Sequence, residues 1–166
     1  MRMLITAAVG GACLALAGAA QAQVTHIGAP TAAIAQAVAV PAGADMLYVS
    51  GITPPPLNAA ATPGAAPEFG DTRTQTQGIL KRIDDLLKAQ GFSLGDVVMM
   101  RVYLVGDPAK GGKMDFVGMM EAYTQAFGTP AQPNKPARVT VQVASLAQAG
   151  MLAEIEVQAA RPRKQP

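Results

Sequence analysis

An arginine opens an otherwise apolar run in the C-terminal third of the chain, Pro136-Ala137-Arg138-Val139-Thr140-Val141-Gln142-Val143. An unpartnered buried guanidinium is costly, so Arg138 is either paired with a carboxylate of its own chain or kept free for an anion. Its planar fork matches a carboxylate in bidentate fashion. From the residues alone both readings stand. The last apolar run, Leu152-Ala153-Glu154-Ile155-Glu156-Val157, holds two glutamates at i, i+2 spacing, which turns both to one face of a strand. Two carboxylates on one face suit a polar cavity or a subunit interface; the plainer alternative is a solvated sheet edge.

Other chemistries find little support. The single histidine, His26, sits in a small, polar stretch and reads as an exposed loop residue. The single cysteine, Cys13, lies inside an apolar N-terminal run, so neither a disulfide framework nor a cysteine-based zinc site is expected. The pairs Met99-Met100 and Met119-Met120 invite a copper reading, but adjacent residues on a strand or helix face different ways and methionine is a common core filler. No metal site is expected. With a formal net charge of +2, no Trp and few aromatics, nothing favours nucleic acid as a partner.

The elements that must position Arg138 and the two glutamates follow from periodicity. Residues 1–22 carry Arg2, an uncharged apolar run and Ala20-Gln21-Ala22, the pattern of a cleaved secretory signal; the expected location is periplasmic or secreted, with no membrane partner after cleavage. Residues 23–33 read as a flexible lead-in. Ile34–Val40 and Met46–Ser50 form a hairpin pattern across Pro41–Asp45. The proline- and alanine-rich stretch Thr53–Gly70 is a surface loop. Asp71 can cap a helix whose face is Ile79, Ile83, Leu86 and Leu87, with Gly91 placed to end it. Val97–Val105 reads as a strand. Asp115 can cap a second helix with Phe116, Met119, Met120, Tyr123 and Phe127 on its apolar face. Ala137–Ala144 and Leu152–Ala160 are the closing strands, and Arg161 and the residues after it, 162–166, a solvated basic tail. Lys110, Lys113 and Lys135 sit in loops and read as solvated, with Lys135 placed to add positive potential near Arg138 as the alternative. The order ββαβαββ predicts an α+β domain over 34–161, a mixed sheet with two helices on one face. The other face then needs cover, which a partner subunit supplies.

Ser50-Gly51 after an apolar strand, Ala89-Gln90-Gly91 ending the first helix and Asp96-Val97-Val98 opening the third strand resemble the RidA family, also called YjgF or L-PSP proteins. So do Met120-Glu121-Ala122-Tyr123, Pro136-Ala137-Arg138 and Glu154-Ile155-Glu156. The resemblance runs from about Ile34 to Arg161. It implies a chorismate-mutase-like fold, a homotrimer with clefts at the subunit interfaces, and cofactor-free hydrolysis of reactive 2-imino or 2-enamino acids to 2-keto acids and ammonia. It implies Arg138 as the grip on the substrate carboxylate, Glu154 as the acid that positions or activates water, and Ser50, Gly51, Thr140 and Tyr123 as substrate-binding positions. An imine carbon is already electrophilic, so orientation and proton transfer suffice without a nucleophilic side chain. The chain departs from the family pattern around Gln36, Ala37 and Val38, where a first-strand tyrosine is usual, at Ile52, where a glutamine follows Ser-Gly, and at Met120, where an asparagine is common. The alternative function is a non-catalytic binding protein for a small carboxylate in the same cleft. The ribonuclease label attached to the family finds no catalytic histidine pair here.

Overall fold

The computed structural model describes residues 23–58 and 66–163. Residues 1–22, where the sequence pattern predicts a secretory signal, and the last residues of the expected tail lie outside them. Strands β1 (Thr25–Ile27) and β2 (Ala37–Ala39) pair antiparallel in a small sheet. Strand β3 (Asp45–Ile52), helix α1 (Thr72–Ala89), β4 (Val97–Val105), helix α2 (Phe116–Ala126), β5 (Ala137–Val143) and β6 (Ala153–Arg161) form the body of the domain. The main sheet has the order β3-β6-β4-β5, with β4 and β5 parallel and the other pairs antiparallel. This is the expected α+β layering, a mixed sheet covered by two helices.

Two local expectations change. The predicted hairpin between residues 34–40 and 46–50 does not form: β2 pairs with β1 and β3 with β6. The stretch 23–33 is therefore no mere flexible lead-in, since its residues 25–27 complete the small sheet. Both runs carried the right strand signal, but pairing partners are chosen by tertiary packing, which a short-range pattern does not encode.

Both helix starts are fixed by their aspartates. Thr74 N donates to Asp71 Oδ1 at 2.8 Å and Gly118 N donates to Asp115 Oδ1 at 3.1 Å. Gly91, at φ +71°, turns the chain out of α1, and Phe92 N returns to Leu87 O at 2.8 Å. The buried stripe of α1 is Thr72, Gln75, Thr76, Ile79, Leu80, Ile83 and Leu87. Leu86, expected inside, falls at the edge of that stripe and is exposed. Alternation in β4 and β6 turns Met100, Val102, Leu104, Ala153, Ile155 and Val157 toward the helices, where they meet Ile79, Ile83, Leu87, Met119 and Tyr123 in one core.

The second face of the sheet carries Met46, Tyr48, Val139 and Val141, all exposed in the single chain, around an Arg101–Glu156 ion pair at 2.6 Å. Arg161 is not part of a solvated tail: it ends β6, lies 4.2 Å over the Phe92 ring and donates to Gly91 O. Among the described residues, no helix is long and apolar enough to cross a membrane.

Candidate functional site

Strand β5 is an edge of the main sheet, and Arg138 lies on it opposite Met100 of β4. Because Met100 faces the helices, Arg138 does too, and its guanidinium lands on α2. The Cζ stands 4.3 Å from the centroid of the Tyr123 ring and 5.8 Å from that of Phe116. Nη2 contacts Met120 Sδ at 3.1 Å and Nη1 contacts Met119 Sδ at 3.9 Å. These are π-faces and thioethers, which are weak acceptors. Among the described residues no carboxylate reaches Arg138, so of the two readings left open by the sequence the internal salt bridge is the one that fails.

The surroundings of Arg138 are electrostatically demanding. Desolvation by burial lowers its pKa from the ordinary arginine value, and the neighbouring Tyr123 opposes that shift only in part. Burial pushes the Tyr123 phenol up to about 12, with Arg138 acting in the opposite direction. Tyr123 is 1% exposed, is stacked on Phe127 with ring centroids 5.0 Å apart, and its hydroxyl has no hydrogen-bond partner among the described residues. The Oγ1 of Thr140, on the same side of β5 as Arg138, is likewise buried and unpartnered. A buried hydroxyl left unpaired costs about 1–3 kcal/mol. A carboxylate brought to Arg138 would meet a cation that lacks an anion among the described residues, with the unsatisfied Thr140 hydroxyl two residues along the same strand face and the unsatisfied Tyr123 hydroxyl on the ring that Arg138 covers.

Glu154 belongs to a different surface. It sits opposite Tyr103 of β4, an odd number of residues from Met100, and therefore projects from the opposite face of the sheet. There it meets β3. Between Val49 and Ile52 the β3–β6 register slips, so that Ser50 and Gly51 bulge out of the ladder. A Cβ on Gly51 would collide with Glu154 Oε1 and Cδ. The missing side chain is what lets the carboxylate lean against the backbone of β3. Ser50 lines a cavity of about 180 Å³ on this face with Tyr48, Arg101, Glu156 and Gln158.

The six sequence-predicted site residues thus fall into two groups: Arg138, Tyr123 and Thr140 on the helix side, and Ser50, Gly51 and Glu154 on the open side. Within one chain the sheet separates Arg138 from Glu154. Glu156, the second glutamate of the pair, is held by Arg101. Of the departures from the family pattern, Met120 touches the guanidinium, whereas Ala37 lies in β2 and Ile52 closes the β3 bulge opposite Ile155.

Sequence reasoning missed three features. Phe116 and Met119 as walls of the arginine were legible only as apolar helix positions. Arg101, alternating with core residues in β4, had a cross-strand partner that only the register reveals. His26 and Lys135 are half-buried and tied down rather than free in loops: His26 Nδ1 donates to Lys135 O at 2.7 Å, and Lys135 Nζ donates to Pro30 O and Ala32 O at 2.9 and 2.7 Å. These bonds tie β1 and the following turn to the loop before β5, across more than 100 residues, a separation that no local pattern bridges.

A family model described as endoribonuclease L-PSP matches residues 25–161. A RutC family protein of Pyrococcus horikoshii is 40% identical over 87 residues, covering 52% of this chain and 60% of the relative. One from Sulfurisphaera tokodaii is 32% identical over 119 residues, covering 70% of this chain and 79% of the relative. The chain spans 60% and 53% of the lengths of the two RutC family proteins of Pyrococcus that it matches. Among solved structures, the Rid-family protein YyfB from Yersinia pestis superposes with a TM-score of 0.61 at 22% identity, over 82% of this chain and 98% of that one; at that identity the likeness speaks to the fold alone. E. coli TdcF, solved with bound serine, gives a TM-score of 0.53 at 30% identity over 74% of this chain and 84% of that one.

Proposed function

From a chain that belongs to the L-PSP family, also called RidA or YjgF, we propose an enzyme that hydrolyses reactive 2-imino and 2-enamino acids to 2-keto acids and ammonia in a cleft between subunits. The observation that carries this reading is the Arg138 guanidinium, packed on Tyr123 and without a carboxylate partner among the described residues. The serine bound in E. coli TdcF, a small molecule bearing a carboxylate, supports the same ligand class here.

Arg138 takes the substrate carboxylate and fixes the adjacent imine carbon. Glu154 accepts a proton from water as the water oxygen adds to that carbon, giving a tetrahedral carbinolamine. That proton passes to the nitrogen; Glu154 then takes the carbinolamine hydroxyl proton and delivers it to the amino group, so the C–N bond breaks, ammonia leaves and the carbonyl forms. Since Arg138 and Glu154 project from opposite faces of one sheet, the pair that acts on one substrate comes from two copies of the chain. The exposed Tyr48, Val139 and Val141 on the open face supply the apolar surface for that association, and a homotrimer gives each copy the same two neighbours.

The test is an assay with 2-iminopropanoate generated in situ by an amino acid oxidase acting on alanine. Loss of imine faster than in buffer is expected. Arg138→Ala removes the grip and lowers kcat/KM by about 30- to 5,000-fold, equivalent to about 2–5 kcal/mol, the usual cost of truncating one side of a buried charge pair. Hydrolysis no faster than buffer, or equally fast with Arg138→Ala, refutes the enzyme. Carboxylate binding without turnover would instead mark a binding protein.

A further inference from the structure

We propose that Met120 is an oxidation site whose sulfoxide occupies the Arg138 guanidinium and shuts the carboxylate grip; the inference rests on the reading of Arg138 as that grip. Met120 Sδ already stands 3.1 Å from Nη2, close enough to share one of the N–H groups that a carboxylate would need. Its neighbour Met119, 3.9 Å from Nη1, is fully buried, whereas Met120 is only half-buried. A cleft that admits a small carboxylate to Arg138 also admits a hydroperoxide.

The step is a two-electron oxygen transfer from a hydroperoxide. A sulfur lone pair attacks one peroxide oxygen, the O–O bond breaks and an S–O bond forms. With hydrogen peroxide, the proton on the transferred oxygen passes to the departing hydroxide, which leaves as water. The thioether is oxidised and the peroxide reduced. The product replaces a weak sulfur acceptor with a strongly dipolar oxygen beside a cation that has no anionic partner among the described residues. That oxygen takes the N–H now given to sulfur and competes with the substrate carboxylate. Methionine sulfoxide reductases reverse the change, so the block is a switch and not only a lesion.

The experiment treats the full protein with hydrogen peroxide, maps added oxygen by peptide mass spectrometry, and measures pyruvate affinity by calorimetry before and after. Oxidation at Met120 should accompany a loss of affinity of about tenfold or more, reversed by methionine sulfoxide reductase. Met120→Leu, compared with itself before and after peroxide, should show no loss. The reductase arm on the native chain keeps the test open should that variant fail to fold. Three results overturn the proposal: Met46 and Met151 oxidised while Met120 is not, Met120 oxidised without loss of affinity, or an equal loss in Met120→Leu. Untreated protein that binds no pyruvate refutes the grip itself and with it the blocking role, while the peptide map still reports separately whether Met120 is oxidised.

Discussion

Glu154 leans on strand β3 only because residue 51 has no side chain, so the position of the proposed proton carrier depends on a neighbour that never touches substrate. Gly51→Ala puts a methyl where Glu154 Oε1 and Cδ now lie. The glutamate must move, since on the β3 side the backbone leaves it no room. The expected outcome is a kcat lowered by about 10- to 100-fold with KM changed far less, because Arg138 is untouched; steady-state kinetics on the imine assay reads the split. At Tyr123 the ring and the hydroxyl have separate roles. The ring carries Arg138 and stacks on Phe127, while the hydroxyl is buried without a partner among the described residues. Tyr123→Phe therefore keeps stability or raises it by up to about 1 kcal/mol in urea unfolding, while pyruvate affinity falls if that hydroxyl serves the ligand. A clear loss of stability would contradict the unpartnered hydroxyl.

At the scale of elements, α1 is held at its start by Asp71, and this is where acid should act. The backbone hydrogen bond from Thr74 lowers the Asp71 pKa most, followed by the side chain of Thr74, with Arg73 and Lys110 adding smaller electrostatic contributions. A folded-state pKa below the unfolded value of 3.8 means that the cap contributes fully above 3.8 and loses that contribution as the pH falls from there through the lower folded-state pKa. Asp71→Ala should cost about 1 kcal/mol at neutral pH, and the gap between variant and native chain should close under acid. Urea midpoints at neutral pH and well below about pH 4, where the folded-state carboxyl is also protonated, check both; a gap that persists there would assign the cost to something other than the charged cap. Helix α2 shows the same economy in another form. Its aspartate cap at Asp115 sets where the first turn begins, and helical spacing from there brings Met119, Met120 and Tyr123 under one strand residue, Arg138. Both caps and most of both apolar stripes were legible in the sequence, because each is written in residues a few positions apart; Leu86 and Phe116, expected on those stripes, are exposed.

For the whole molecule, a site divided by its own sheet makes a prediction that no single-chain enzyme would satisfy. Arg138→Ala and Glu154→Gln should each be inactive alone, yet regain about a quarter of native activity when co-refolded in equal amounts, the fraction of clefts that draw both intact groups from different copies. Mixed samples as inactive as their components would refute the shared site, and light scattering on the native protein reports the assembly directly. By itself the sequence determined the helices, their caps, the alternating strands β4 and β6, the placing of Arg138 in a strand of valines and the kinship from which its role is proposed. These are encoded by neighbours, through backbone periodicity and capping chemistry that act over a turn or a strand. Only the tertiary structure decided which strands pair, that β1 takes β2 from the expected hairpin, that His26 and Lys135 lock to distant carbonyls, and that Arg138 meets sulfur and tyrosine instead of a glutamate. The face on which each charged group emerges depends on register between strands far apart in the chain, and a one-residue slip would reverse it. For that reason Arg138 and Glu154 could be named together from the sequence, while only the register shows that the sheet holds them apart.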